Sequence, residues 1–388
     1  MGMTSKERMI KALSGERAST PPTVFHSWGD YKVELAGFHW KFFPYQGGAE
    51  LAGVERVLYE RFQPDWIHCG SGAGHWSWNR ERRVEGKRAF LRSEDGQRWL
   101  EIQENYALAP DPAVPATPYT GPRLTLESQA TVDAYFDADR TTVDAILASG
   151  TFDHMKPLAD AFGDRVFIAM NDGMNGLPWI PFEDLMIGAM ENPDLVAYAI
   201  RRQCENFMPR VLAAKACGAH AYIFSEGMGG SLGQLSPVLE EYVQADAKRW
   251  FYSEVRKAGL LPIGYWLGDV RPHMRWLNSL NMAGLLIEED KKGFALDPLD
   301  IRRMLRPETC LFGNLDSNLL LWGTPDAIRA EVRRQRRAAA EGTFVIANGS
   351  PLVIGTPAAN LDAYMEEARK RHDLISSPLP CPTARLGS

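Results

Sequence analysis

Eight short runs rich in β-branched and aromatic residues recur along the chain, each leading to a longer stretch with helical spacing. This repeat constrains the fold more than any other feature. The runs are PTVFH (22–26), DWIHC (65–69), RVFIAM (165–170), HAYIF (220–224), LPIGYW (261–266), AGLLI (283–287), CLFGN (310–314) and TFVIA (343–347). Most are apolar nearly throughout rather than alternating, the pattern of parallel strands covered on both faces. Between them, SPVLEEYVQADAKRWFYSEVRKAG (236–259) has apolar residues at helical spacing and Gly259 at its end. TPDAIRAEVRRQRRAAAEG (324–342) opens on Thr324 as N-cap with Pro325 at the first helical position, and a second Gly-Thr-Pro follows at 355–357. Strands that each lead to a helix, eight times over, predict an α/β fold of the (β/α)8 TIM-barrel type rather than an open doubly wound sheet.

One barrel domain is expected over residues 1–375. The segment 4–17 reads as a helix covering one end of it, and 71–150 as an insertion after the second strand. That insertion holds a β-hairpin around the turn signal Glu94-Asp95-Gly96 and a Pro-rich connector at 110–122. The Pro- and Ser-rich tail, 376–388, is expected to be loosely ordered. A net charge of −6 with no block of like charges argues against nucleic acid or an anionic membrane as partner. No apolar stretch reaches the ~18 residues of a membrane span, and MGMTSKERMIKAL is too charged for a signal peptide, so a cytoplasmic location is expected. Five scattered cysteines (Cys69, Cys204, Cys217, Cys310 and Cys381) read as reduced thiols, without the spacing of a disulfide framework or zinc ribbon. Oligomeric state leaves no mark in the sequence.

A barrel of this kind carries its chemistry at the carboxyl ends of the strands. Those points supply His26 and Asp30, His68 and Cys69, Asn171 and Asp172, Ser225 and Glu226, and Tyr265, Trp266 and Asp269. They continue with Glu288, Glu289 and Asp290, Asn314 and Asp316, and Asn348 with Ser350. Such a ring of carboxylates, amides and imidazoles is more polar than a core needs. The loops AMNDGMNGLPW (169–179) and SEGMGGSLG (225–233) combine glycines with Met170, Met174 and Met228, suiting close backbone approach to a ligand. Trp28, Trp76, Trp78, Trp179 and Trp266 fall in or just after strand ends and would wall a flat aromatic ligand. A zinc site can be drawn from His26, His75 and a carboxylate, but the spacing lacks the regularity of a metal motif. No G-x-S-x-G elbow, P-loop or dinucleotide fingerprint is present, which argues against a serine hydrolase, an NTPase and a Rossmann dehydrogenase.

Three segments carry a family resemblance: TSKERMIKALSGERASTPPTV, LFGNLDSNLLLWGTPDAIRAEVRRQ and FVIANGSPLVIGTPAANLDAYMEEARK. They resemble the uroporphyrinogen decarboxylase superfamily from near residue 4 to about residue 372, most specifically in Gly-Asn-Leu-Asp at 313–316 and the two Gly-Thr-Pro helix starts. The resemblance implies a (β/α)8 barrel and one of two chemistries: porphyrinogen decarboxylation, or transfer of a methyl group to or from a corrinoid protein.

The loop after the last strand resembles Gly-His-Gly in the decarboxylases and Gly-Cys-Gly in zinc methyltransferases that activate thiols; here it reads Gly349-Ser350-Pro351. The thiol-activating branch also carries His-x-Cys after the fifth strand, where this chain has Tyr265-Trp266-Leu267, so that zinc site cannot form at these positions. PPTVFHSWGDYKVE has no arginine to pair with tetrapyrrole carboxylates. What remains resembles the O-demethylases, which move a methyl group from an aryl methyl ether or another small donor to a corrinoid (cobalamin) carried by a partner protein. Releasing a phenolate needs a positioned acid or a Lewis acid, and Glu226, Asp269 and Glu288 are the candidates. His26, Trp28, Asn171, Met174, Trp179, Tyr265, Trp266, Asn314, Asn348 and Ser350 are expected to bind substrate, Ser350 as a hydrogen-bond donor that touches no metal. A decarboxylase, and a barrel that only binds a ligand or corrinoid partner, are the alternatives; whether zinc is bound stays open.

Overall fold

The computed structural model describes residues 2–75, 80–104, 108, 124–173, 180–226, 232–290 and 293–370. Ten strands lie among them: β1 Trp66–Cys69, β2 Arg82–Glu85, β3 Arg88–Arg92, β4 Trp99–Ile102, β5 Phe167–Gly173, β6 Ala221–Glu226, β7 Leu261–Trp266, β8 Gly284–Ile287, β9 Cys310–Phe312 and β10 Phe344–Val345. Seven form one curled parallel sheet in the order β1-β5-β6-β7-β8-β9-β10, with helices between successive strands, an arrangement consistent with a TIM-type barrel.

The run at 22–26 differs from expectation in forming no strand of its own. Thr23 makes a single parallel bridge to Ile346, flanked by bonds from Val24 N–H to Ile346 O (2.9 Å) and from Ile346 N–H to Pro22 O (2.8 Å). On its other side the Asp65 N–H donates to Thr23 O (2.7 Å), so this short segment links the β10 and β1 edges of the sheet. Pro21 and Pro22 have no N–H to give, which keeps the ladder short.

Alternation along each strand sorts residues between two apolar layers. Inward-facing Val24, Trp66, Phe167, Ala169, Ile223, Ile263, Tyr265 and Phe312 form one cluster, joined by Met9, Ala12 and Leu13 from the helix Ser5–Leu13. Their neighbours Ile67, Met170, Phe224, Trp266 and Leu311 face the helices. The helices start as their sequences dictate. Ser236 caps Pro237–Lys257 by accepting the Leu239 N–H, Thr324 caps Pro325–Glu341 by accepting that of Ala327, and each such cap contributes about 1 kcal/mol. The second Gly-Thr-Pro works differently. Thr356 donates its hydroxyl back to Val353 O (2.6 Å), and the helix Ala358–Arg369 begins without a side-chain cap.

Within 71–150, β2, β3 and β4 pair as an antiparallel sheet whose Ala89, Leu91 and Ile102 pack on Phe42 and Tyr45. Asp95 holds the β3–β4 turn by accepting from the Ser93 hydroxyl (2.5 Å) and the Gln97 N–H (2.9 Å), with Gly96 at φ +70°. The Pro-rich connector and the tail 376–388 lie outside the described residues.

Candidate functional site

Continuing the inward alternation past the apolar layer brings His26, His68, Asn171, Ser225, Tyr265 and Glu288 to the carboxyl end of the sheet, where TIM-type barrels hold their chemistry. Five rings climb the inner wall toward this end. Phe312 stacks on Trp66 (centroids 5.7 Å apart, 28°) and Trp66 on His68 (5.2 Å, 18°). His68 then meets His26 edge-on (5.4 Å, 85°), and His26 meets Tyr265 (4.8 Å, 83°).

Burial sets the charge of these rings. It pushes His26 down to about 4, with Gly349's backbone opposing the shift from beside the ring without forming a hydrogen bond of good geometry. His68 is pushed well below its ordinary value by burial, then by the Lys32 ammonium and by His26. Its Nδ1 lies 2.6 Å from Ser27 O, so that nitrogen carries the proton and Nε2 is a lone pair. Both imidazoles are therefore neutral at pH 7. Tyr265 is pushed upward by burial and then by the Glu288 and Glu289 carboxylates, while a hydrogen bond with the Ser350 side chain opposes the shift, so the phenol keeps its proton.

Glu288 accepts the Gly268 N–H on Oε2 (2.9 Å). Gly349 has a steric reason to be glycine: a Cβ there would sit 2.6 Å from Glu289 N and 2.9 Å from its Oε2. Lys32, buried in the helix Gly29–Leu35, is paired with the Glu55 carboxylate and donates to His68 O (2.6 Å); Glu55 Oε1 accepts the Gly70 N–H (3.1 Å). This buried ion pair fixes the end of β1.

A cavity of about 280 Å3 opens here, lined by Ser27, Trp28, Lys32, Phe43, His68, Asn171 and Ser225. Trp28 stands half exposed at its rim. A larger cavity, about 750 Å3, lies where the strands begin, among Arg8, Thr23, Asp65 and Arg369. Its arginines are engaged, Arg8 with Asp65 and Arg369 with the Phe62 and Gln63 carbonyls, and none of the buried rings reaches it. Lys32, Phe43 and Ser27 were missed from sequence; the one available signal was the position of Lys32, four residues beyond Trp28 on a helix.

Several expected residues do not join the site. Glu226 and Trp266 sit one residue past Ser225 and Tyr265, so alternation turns them outward. Glu226 is buried against the helix Pro237–Lys257, paired with Lys248 Nζ (2.5 Å) and accepting from the Tyr252 hydroxyl (2.8 Å). Trp266 packs edge-on against Trp276 (5.0 Å, 89°). Asp269 is held by Arg271 (2.7 Å), which draws its carboxyl below the usual range and makes it a poor proton store. Asn314 donates to the Leu296 (2.9 Å) and Glu288 (3.3 Å) carbonyls, clamping the loop after β8. Asn348 accepts the His26 N–H (2.9 Å) and donates to the His26 (2.8 Å) and Ser350 (2.6 Å) carbonyls, so its amide is consumed in joining the two sheet edges. Exposed His75 pairs with Asp153 (3.1 Å), away from buried His26. Among the described residues no group of three or more His, Cys, Asp or Glu could hold a metal. Met174 and Trp179 lie outside the described residues. No described helix is long and apolar enough to cross a membrane.

Comparison with solved structures finds a methyltransferase from Methanosarcina mazei with a TM-score of 0.68 and 17% identity, covering 95% of this chain and 98% of that one. This likeness establishes the fold. A putative vitamin-B12 independent methionine synthase from Listeria monocytogenes (TM-score 0.38, 14% identity, 56% of this chain and 67% of that one) is too distant to carry an argument. The same holds for D-psicose 3-epimerase from Clostridium cellulolyticum H10 (0.33, 8%, 64% and 94%). No curated protein sequence matches. The sequence model described as uroporphyrinogen decarboxylase (URO-D) matches residues 174–371, just over half the chain. The chain belongs to the uroporphyrinogen decarboxylase family.

Proposed function

We propose that the protein is a methyltransferase that removes the methyl group from a small methylated donor, an aryl methyl ether, and passes it to a corrinoid protein. The observation that carries this reading is the charge at the mouth. Among the described residues lining the cavity the one cation is Lys32, and it is already paired with Glu55. A tetrapyrrole polycarboxylate would find no arginine among those described lining residues, whereas a neutral aromatic ring suits Trp28, Phe43 and His68. About 280 Å3 falls just below the ~300–1,000 Å3 of ordinary ligand pockets, a fit for one substituted ring rather than a macrocycle. The corrinoid is accordingly carried by a partner and approaches from outside. The name of the Methanosarcina mazei neighbour agrees with this reading.

The cobalt supplies the nucleophile; the chain's own residues bind and orient the ether and meet the charge that arrives on its oxygen. When the methyl–oxygen bond breaks, the bonding pair stays on oxygen. Tyr265, kept protonated by burial, and Ser350, hydrogen-bonded to it, are the hydroxyl donors we assign to that charge. Glu288, buried on the same wall, is the remaining acid of the candidate set.

The test is to mix the protein with methoxylated aromatics and a reduced corrinoid carrier and to follow the cobalt absorbance bands. Methyl-cobalt formation is expected. Its absence across the panel, or carbon dioxide release from a porphyrinogen by the same protein, would overturn the proposal.

A further inference from the structure

Two segments at the carboxyl end of the sheet, one following β6 and one following β7, are fastened to each other by buried groups that methyl transfer does not use directly. Glu240 is wholly buried in the first turn of the helix Pro237–Lys257. Its Oε1 accepts three successive backbone N–H groups, from Gly233 (3.0 Å), Gln234 (3.1 Å) and Leu235 (3.2 Å). Gly233 stands at φ +82°, a left-handed conformation that costs glycine nothing and lets neighbouring N–H groups converge on one anionic oxygen. The other oxygen, Oε2, lies 3.2 Å from Nδ1 of His273, which is almost fully buried at the end of the short turn Arg271–His273 after β7. A second tie joins the same segments, since the Leu232 N–H donates to Leu267 O (2.7 Å), and the next N–H along, that of Gly268, goes to Glu288.

The contact between Glu240 and His273 needs one proton. Burial lowers His273, with the Asp269 carboxylate opposing, so the ring is neutral at pH 7 and has a single N–H to place. Trp276 Nε1 reaches the same Nδ1 at 3.4 Å and would make it an acceptor. The bond to the carboxylate is shorter and charge-assisted, about twice the strength of a neutral one, so it takes the nitrogen and Nδ1 donates to Oε2. We infer that Glu240 and His273 are positioning residues, a buried clamp that holds segments 232–235 and 267–273 against each other. These segments follow Ser225, which lines the cavity, and Tyr265, the donor assigned to the leaving oxygen. The clamp's part in methyl transfer rests on the proposed function.

The experiment is amide hydrogen exchange on the whole protein, read by NMR with no corrinoid or substrate present. In wild type the Gly233, Gln234 and Leu235 amides are expected to exchange at least about 100-fold more slowly than in an unstructured chain. His273→Phe touches none of these amides but removes the donor to Oε2; their exchange should accelerate about tenfold while amides of the helix Pro325–Glu341 stay as in wild type. His273→Asn, which returns a side-chain N–H near the place of Nδ1, should restore most of the protection. Unprotected amides in wild type would overturn the inference whether or not a variant folds. So would exchange at 233–235 that is unchanged in folded His273→Phe, or that accelerates alike across the molecule. A kinetic arm reads the reaction: because Tyr265 meets charge that develops only in the transition state, His273→Phe should lower kcat for methyl-cobalt formation about tenfold with KM within about twofold. An unchanged kcat alongside accelerated exchange would remove the positioning role. Wild type that shows the exchange pattern but forms no methyl-cobalt sinks the proposed function and leaves the clamp standing.

Discussion

At the scale of single residues, the carboxyl end of the sheet separates groups assigned to the proposed substrate from groups that hold the wall. Tyr265 carries a buried phenol that stays protonated, and Ser350 is its hydrogen-bonding neighbour. On the proposed function, Tyr265→Phe removes the donor assigned to the leaving oxygen, and kcat/KM for methyl-cobalt formation should fall about 100-fold, the scale of losing one preorganised donor. Ser350→Ala removes one neutral hydrogen bond, and the expected loss is about fivefold, or ~1 kcal/mol. A metal lost on Ser350→Ala, or a complete loss of turnover, would give the serine a larger part than this. The presence of these residue types near strand ends was legible in the sequence. Which of two adjacent residues faces inward was not, because strands apolar on both faces carry no alternation to read. Ser225 and Glu226, and likewise Tyr265 and Trp266, are the cases where that mattered.

At the scale of elements, the motifs that resembled a family signature turn out to be fastenings. Gly313 leaves room for Gln335, since a Cβ there would lie 2.0 Å from Gln335 Oε1. Gln335 in turn pairs with both backbone groups of Ala347 (2.8 and 3.1 Å). Asn348 ties the far edge to His26, so Asn348→Ala orphans two buried backbone groups. Urea unfolding should show a loss of about 2–4 kcal/mol. Glu226 and Lys248 form a buried pair between β6 and the helix Pro237–Lys257. Burial raises the Glu226 carboxyl's pKa, while Lys248 and the Tyr252 hydroxyl oppose it. Glu226→Ala leaves a buried ammonium alone and should cost about 3–5 kcal/mol by the same measurement. The methyl-transfer rate per folded molecule should change little, because the side chain faces away from the mouth; a rate that collapsed in folded Glu226→Ala would return this carboxylate to the catalytic set.

At the scale of the whole molecule, several buried histidines make stability depend on pH. His26 is held down to about 4 and His154 to about 3, both by burial, and His68 is lowered by the same cause. Their folded values lie below the ordinary 6.5, so the unfolded chain binds protons first on acidification. Stability is full above about pH 6.5 and falls as the pH drops toward 4, by at most ~1.4 kcal/mol per pH unit for each histidine. Thermal unfolding at pH 7, 6 and 5 should show a midpoint that declines across this range, and one that stayed level would mean the imidazoles are solvated or already charged. The sequence by itself determined the repeat of strand and helix, the helix starts at Ser236 and Thr324, and the end of the sheet where polar residues gather. Periodicity and capping are local chemistry, so they can be read along the chain. Only the tertiary structure decided that Asn348 and Asn314 are fastenings, that Asp269 belongs to Arg271 and Glu226 to Lys248, and that His26 and His68 share a wall. Each of those pairings depends on which face a side chain takes and on a partner that can lie hundreds of residues away. Asn348 meets His26 across 322 residues, a separation over which no local propensity acts.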